Sequence, residues 1–167
     1  MTVVDDRPHS EEDPVSDEVR LARYADALAD AVVAALPGWV ARSVERRLPG
    51  PVPEAVRSQA RTAGRAAADE VGAQVRQLLA LDIDRQWTNP LALVRAAVRF
   101  PTAVLRQADA PPPHRDAEAV RLHPDDVYDL TPAAFADVAP ELHDPGITWG
   151  AAKAHVHLAR RRREGRR

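Results

Sequence analysis

Cysteine is absent from this 167-residue chain, and aromatic residues supply only 4% of it. Without cysteine the chain can form no disulfide, no thiolate metal site, no iron–sulfur cluster and no cysteine nucleophile. Glycine is also scarce, with seven residues, and none of them lies in a phosphate-binding loop. The motifs of dinucleotide-binding proteins, Walker-type NTPases, serine hydrolases and zinc proteases are missing as well. The sequence therefore favours a non-catalytic protein that needs no cofactor.

Long hydrophobic runs are missing too. The longest uncharged run, AVVAALPGWVA at 31–41, contains Pro37 and Gly38 and is shorter than the roughly 20 apolar residues of a membrane span. The N-terminus shows no basic region followed by an apolar stretch, so it does not resemble a secretion signal. One lysine against 22 arginines is typical of GC-rich bacterial genomes. We expect a soluble, cytoplasmic bacterial protein with no integral membrane association.

The charges are concentrated at the two ends of the chain, although the net charge is only −2. Residues 1–18 carry seven acids and one arginine, whereas residues 153–167 carry seven bases and one acid. Residues 1–15 show no apolar periodicity and can bury too little apolar surface to offset the entropy of ordering. We therefore expect a disordered acidic tail over 1–15 and a basic tail over 164–167.

Apolar residues recur every three or four positions along most of the chain, which is the pattern of amphipathic helices. There is no strand-like alternation of useful length, no Asn-Gly hairpin and no internal repeat. The predicted fold is all-α, an irregular multi-helix bundle with its core in 16–109. The proline-rich stretch 110–113 predicts a rigid connector. Residues 114–163 predict a region of short helices that packs on the bundle or forms a separate lobe.

Capping residues and prolines define the predicted helix ends. Ser16 is a good N-cap for a first helix, and Pro37-Gly38 is expected to break or kink that helix. The Asn89-Pro90 pair predicts another start, with asparagine as the cap and proline at the first helical position. The expected helices cover 16–36, a continuation over 39–48, 54–81, 90–100 with a kink or restart at Pro101, short helices after Pro124 and Pro132, and 148–163. The last of these carries an apolar stripe at spacings of three, four and three residues: Trp149, Ala152, Val156 and Ala159.

The helix predicted over 54–81 presents an apolar stripe of mostly small residues: Val56, Ala60, Ala63, Ala67, Val71 and Leu78. Gly64 and Gly72 lie in the same helix, where each costs roughly 1 kcal/mol relative to alanine. Small side chains allow another helix to approach closely, which would offset this cost. Ala63 and Ala67 are therefore candidate contact residues, for a partner helix of the same chain or of a second copy.

The C-terminal KAHVHLARRRREGRR, 153–167, combines two histidines with a dense group of arginines. Residues two apart on a helix point about 200° away from each other, so His155 and His157 cannot share a metal ion there. The cluster consists of Arg160, Arg161, Arg162, Arg163, Arg166 and Arg167. Three interpretations stay open: a charged end that complements the helix dipole, a contact for an acidic protein surface including the chain's own acidic tail, and a weak nucleic-acid contact.

Two further segments are candidates for binding. In HPDDVYD, 123–129, His123 and three aspartates could meet a divalent ion, although acids are also favoured in a first helical turn. In LDIDRQWTNP, 81–90, Arg85 and Trp87 are residue types that are enriched in binding hot spots, and the same residues would also suit a structural hinge.

Arginines also form two rows at helical spacing: Arg57, Arg61 and Arg65, and then Arg95, Arg99 and Arg106. Such rows can contact an anionic surface, but they more often form the solvated face of a helix. Taken together, these patterns favour a non-catalytic cytoplasmic interaction or adaptor protein that binds a protein partner or itself. A nucleic-acid-associated factor using the arginine tail, and a small helical metal-binding protein or enzyme using His123 and its neighbours, are the alternatives.

Overall fold

A computed structural model describes residues 14–80 and 89–166. The regular structure within these ranges is entirely helical, which confirms the all-α prediction. The α-helices are α1 (Pro14–Arg47), α2 (Glu54–Ala80), α3 (Pro90–Ala96), α4 (Arg99–Gln107), α5 (Ala117–Leu122), α6 (Phe135–Val138) and α7 (His143–Glu164), with a 3₁₀ turn at Pro140–Leu142 before α7. Most of the predicted acidic tail and the segment 81–88 lie outside the described residues.

Helices α1 and α2 form an antiparallel pair around which the rest of the chain packs. Gly64 and Gly72 of α2 lie against Pro37 and Val33 of α1, so the residue numbers run in opposite directions. The core lies along this pair and contains fully buried Leu28, Leu36, Trp39, Val40 and Val44 of α1 with Ala67, Val71 and Val75 of α2. Of the small stripe predicted on helix 54–81, Ala60, Ala67 and Val71 are therefore buried within the chain, whereas Val56, Ala63 and Leu78 are half-buried.

The first helix continues through Pro37, so of the predicted break or kink the break is wrong, and the helix does not end at residue 36. It also begins at Pro14 rather than at Ser16, because proline is well suited to the first turn, where its missing N–H has no helical partner. Proline in a helix interior removes one backbone hydrogen bond. Here Leu36 and Trp39 are buried on either side of Pro37, and this packing holds the two halves in one helix.

The break between α3 and α4 lies four residues before Pro101. Asn89 caps α3 as predicted: its side-chain oxygen accepts from the backbone N–H of Leu91 at 3.1 Å. The helix is interrupted at Ala97 and Val98, whereas the sequence predicted the kink or restart at Pro101 itself. A proline ring clashes with the carbonyl four residues earlier, which here is that of Ala97. Pro101 then fits into the first turn of α4.

The C-terminal region is packed against the bundle and shares its core. Leu130, Val138 and Leu142 belong to the same buried cluster as the side chains of α1 and α2. Polar contacts add to this packing, since Arg42 of α1 donates to the carbonyl of Val138 at 2.8 Å and the Tyr128 hydroxyl donates to the carbonyl of Ala110 at 3.0 Å. Of the two predicted arrangements, the structure has the packed one.

Three local expectations for this region need correction. The residues after Pro124 form turns instead of a helix. The Asp126 carboxylate accepts hydrogen bonds from the backbone N–H groups of Leu130 and Thr131, and these bonds compete with those of a helix. The short helix predicted directly after Pro132 is reduced to the single turn α6. The last helix begins at His143 instead of 148, with Pro145 tolerated in its first turn.

Among the described residues, one segment, 17–47, is long and apolar enough to meet a length-and-hydropathy criterion for a membrane span. Its largest apolar side chains, including Leu28, Leu36 and Trp39, are buried in the core with α2. Packing within the chain therefore accounts for the apolar character of this helix.

Gly64 provides a direct test of the α1–α2 contact. A Cβ at this position would lie 2.8 Å from Cα of Pro37, which is backbone and cannot rotate away. We expect Gly64→Ala to lower the free energy of unfolding by about 1–3 kcal/mol through overpacking. Gly150→Ala is the matched control, because a Cβ there meets nothing within 4 Å and should be neutral or stabilise by up to about 1 kcal/mol. Urea unfolding of both variants measures the difference, and equal stabilities would show that the contact is loose.

Candidate interaction surface on the C-terminal helix

Helix α7 is attached to the body along one narrow stripe. Of its 22 residues only Val156 is fully buried, and Trp149, Ala152 and Ala159 are half-buried on the same side. These four residues form the apolar stripe that the sequence predicts for the last helix. They face α1, which runs antiparallel to α7: Asp17 and Glu18 lie beside His155 and Arg160, whereas Arg42 reaches Val138 just before α7.

A second apolar stripe lies on the opposite side of α7 and is exposed. It consists of Ile147, Ala151, Ala154 and Leu158, at spacings of four, three and four residues. With about 100° per residue these four positions fall within about 60° of one another, and Ile147 is about 180° from Val156. The side chains of Ile147 and Leu158 are 58% and 53% exposed. The helix therefore carries apolar residues on two faces, and among the described residues the inner face is the one packed against α1.

Sequence reasoning identified the inner stripe and missed the outer one. The signal for the outer stripe was present in the spacing of Ile147, Ala151, Ala154 and Leu158. It was overlooked because the helix was predicted to begin at 148, one residue after Ile147. This error in the helix start removed the first large apolar residue from the pattern.

The arginine cluster continues the same helix. Arg160 forms an ion pair with Glu18 of α1 at 2.5 Å, so this arginine fastens α7 to the body. Arg161, Arg162 and Arg163 are exposed in the last turn of α7, and Arg166 is exposed just beyond it. Basic residues here complement the negative end of the helix dipole, as the first interpretation of the tail proposed. Arg167 lies outside the described residues.

The two histidines of the tail have different surroundings. His155 is exposed, with its Nε2 atom 3.7 Å from a carboxylate oxygen of Asp17, and His157 is half-buried. Within residues 14–80 and 89–166, no three histidine or acidic side chains are placed to hold a metal ion together.

Clefts border α7 on both sides. One cleft, with a volume of about 390 Å³, lies between α1, the end of α2 and α7, and its walls include Leu21, Ala25 and Trp149. Lys153 lies at this cleft with its ammonium 5.0 Å from the centre of the Trp149 ring. Burial lowers the pKa of Lys153, because the charged form loses hydration beside the apolar walls. The other cleft lies between Tyr24 and Ile147.

The aspartates of HPDDVYD have separate structural contacts. Asp126 is buried, and its carboxylate accepts hydrogen bonds from the backbone N–H groups of Leu130 and Thr131 and from the Thr131 hydroxyl. Asp129 lies 3.7 Å from Arg47 of α1, whereas Asp125 and His123 are exposed. The segment thus closes a turn and fastens it to the bundle.

Two of the remaining candidate residues, Ala63 and Ala67, lie one turn apart on α2. Ala67 is fully buried against α1, and half-buried Ala63 borders a shallow groove between α2 and α4 with Phe100. Arg85 and Trp87 lie outside the described residues, so their proposed contact role stays a prediction.

Residues of both arginine rows form ion pairs or hydrogen bonds with other residues of the chain. Arg61 binds Glu54 at 2.8 Å, and this contact lowers the pKa of the Glu54 carboxyl. Arg95 donates to the carbonyl of Pro132 at 2.9 Å, and Arg99 forms an ion pair with Glu70 at 2.5 Å.

The buried carboxylate of Asp126 gives a stability prediction. Asp126→Ala would leave the N–H groups of Leu130 and Thr131 without their acceptor, which should cost about 2–4 kcal/mol in urea unfolding. The matched control is Asp125→Ala, an exposed neighbour whose removal should change stability by less than about 0.5 kcal/mol. If Asp126→Ala instead kept full stability and lost a tightly bound metal, the structural assignment would be wrong.

Comparison with known proteins identifies no family or relative for this chain. No protein-family model matches the chain, and neither the curated proteins nor the solved structures include a match.

Proposed function

We propose that this chain is a non-catalytic cytoplasmic interaction protein and that α7 is the element that binds its protein partner. The observation that carries the proposal is the exposed apolar stripe of α7, with Ile147 and Leu158 more than half exposed three turns apart. Amphipathic helices bind partner helices or grooves through apolar anchors at this spacing. A single exposed leucine is ordinary on a soluble protein, whereas four apolar residues in a row on one helix face indicate a contact surface.

The attachment of α7 supports the same role. The inner stripe and the Arg160–Glu18 ion pair hold the helix on the body, so the outer stripe is presented on a preorganised element. A preorganised helix does not have to be ordered on binding, which lowers the entropic cost of association. The arginines in its last turn add a positively charged edge that favours partners with acidic residues next to their apolar surface.

Purification from the native host tests this role. The variant Ile147→Arg/Leu158→Arg should lose the protein that accompanies the tagged wild-type chain, because two charges would be placed in the apolar contact. Leu122→Arg is the control, since Leu122 is 55% exposed and lies on α5 instead of α7. Mass spectrometry of the bound fraction measures the outcome. An identical set of bound proteins for all three chains would contradict a role of α7 in binding.

A second candidate function is weak binding of nucleic acid by the end of α7. Arg161, Arg162, Arg163 and Arg166 are all exposed at one end of the molecule, where they can approach a phosphate backbone together. Such binding depends on counterion release, with a slope of about −0.9 in log affinity against log salt for each phosphate neutralised. Without aromatic residues for stacking, it would be independent of base sequence.

Charge-matched variants test this candidate. Replacing these four arginines by glutamine should abolish retention on a DNA column at low salt. The control replaces Arg57, Arg61, Arg65 and Arg106 by glutamine, which changes the net charge equally while leaving α7 intact. Equal loss of retention in both variants would attribute binding to overall charge, and no retention of the wild-type chain would remove the candidate.

A further inference from the structure

We infer that the exposed stripe of α7 binds the same stripe of a second copy, with the two helices antiparallel. This inference rests on the proposed interaction role of α7 and names the partner. The occupant follows from the order of side chains along the stripe, which has large residues at both ends and small residues in the middle. Reversing a helix with this order leaves the pattern unchanged, so the face is complementary to itself about a two-fold axis.

The register of the pair is fixed by these side chains. When Ile147 of one copy lies opposite Leu158 of the partner subunit, Ala151 lies opposite the partner's Ala154. The two alanine positions then allow the helix backbones to approach closely at the centre, and the large side chains close the contact at each end. The contact is thus a short apolar strip, and its small size predicts a weak, concentration-dependent dimer instead of an obligate one.

The charges next to the stripe agree with this register. Asp144 and Arg162 both lie about 60° from Ile147 on the same side of the stripe, and both are exposed. In the antiparallel register Arg162 comes within one residue, about 1.5 Å of rise, of the level of the partner's Asp144. The two-fold axis forms this ion pair twice. A parallel arrangement would form no such pair, because Asp144 of one copy and the partner's Arg162 would then lie at opposite ends of the contact.

The position of the stripe leaves room for a second molecule. Val156, which packs on the body, is about 180° from Ile147 around α7, so the stripe lies on the outer side of the helix, with Ile147 and Ala151 also bordering the cleft beside Tyr24. Two copies paired through this stripe would therefore have their bodies on opposite sides of the helix pair. Self-pairing would also explain why α7 keeps two large apolar residues, Ile147 and Leu158, that are more than half exposed.

Sedimentation over a range of concentrations tests the inference with the full-length chain. The wild-type protein should show a reversible monomer–dimer equilibrium. Ile147→Glu and Leu158→Lys should each weaken dimerisation at least tenfold, because each places an unpaired charge in the apolar contact. Leu122→Glu, at a similarly exposed apolar residue on α5, should leave the equilibrium unchanged.

The orientation is tested by combining the two substitutions. In the antiparallel register the introduced carboxylate of one copy lies opposite the introduced ammonium of the other, so Ile147→Glu/Leu158→Lys should recover at least part of the lost affinity. A parallel pair would bring like charges together, and the double variant would be weaker than either single variant. That result would overturn the antiparallel register.

The same experiments separate failure of this inference from failure of the proposed function. A wild-type chain that stays monomeric at the highest concentration overturns self-pairing. If another protein nevertheless binds the wild-type chain and does not bind the Ile147→Arg/Leu158→Arg variant, α7 is still a binding element, for that other protein. Dimerisation that is insensitive to the α7 substitutions but disappears at 1 M salt would assign the contact to the oppositely charged ends of the chain, and would also overturn the inference.

Discussion

The close contact of α1 with α2 at Pro37 and Gly64 is the constraint on which the rest of the structure depends. A proline within a helix and a glycine within its neighbour are both unfavourable for isolated helices. At this crossing Gly64 has no side chain, and the two backbones lie so close that a Cβ on Gly64 would be 2.8 Å from Cα of Pro37. That approach seals the large apolar residues of α1 in the core, and α3, α4 and the C-terminal region then pack around the pair.

Helix α7 leaves two large apolar side chains, Ile147 and Leu158, more than half exposed, unlike the core residues of α1 and α2. It uses one stripe for the body and keeps a second stripe of comparable apolar character exposed. A soluble domain gains nothing in stability from such a face, because exposed apolar surface favours association. The proposed role of α7 in partner binding gives this face a physical reason, and its self-complementary order gives the reason for choosing a second copy as the partner.

The prediction errors in this chain have a common cause, which is that local signals compete with tertiary packing. Pro37 is a strong local signal for a helix end, yet the buried side chains around it outweigh the lost hydrogen bond. Pro101 did produce a break, but four residues earlier, where its ring meets a carbonyl. At HPDDVYD the acidic residues suggested a first helical turn, whereas the Asp126 carboxylate bonds ahead to the backbone and holds the segment in turns.

The sequence by itself determined the helical class, the start of α2, the Asn89 cap and the inner stripe of α7, because each depends on periodicity or on capping within a few residues. Only the tertiary structure decided that Ala60 and Ala67 of the α2 stripe are buried within the chain, that Arg160 is used to fasten α7 to α1, and that Asp126 is buried. These outcomes depend on which helices meet. They also decide which stripe of α7 remains exposed, since a helix with two apolar faces can bury either one until its neighbour is known.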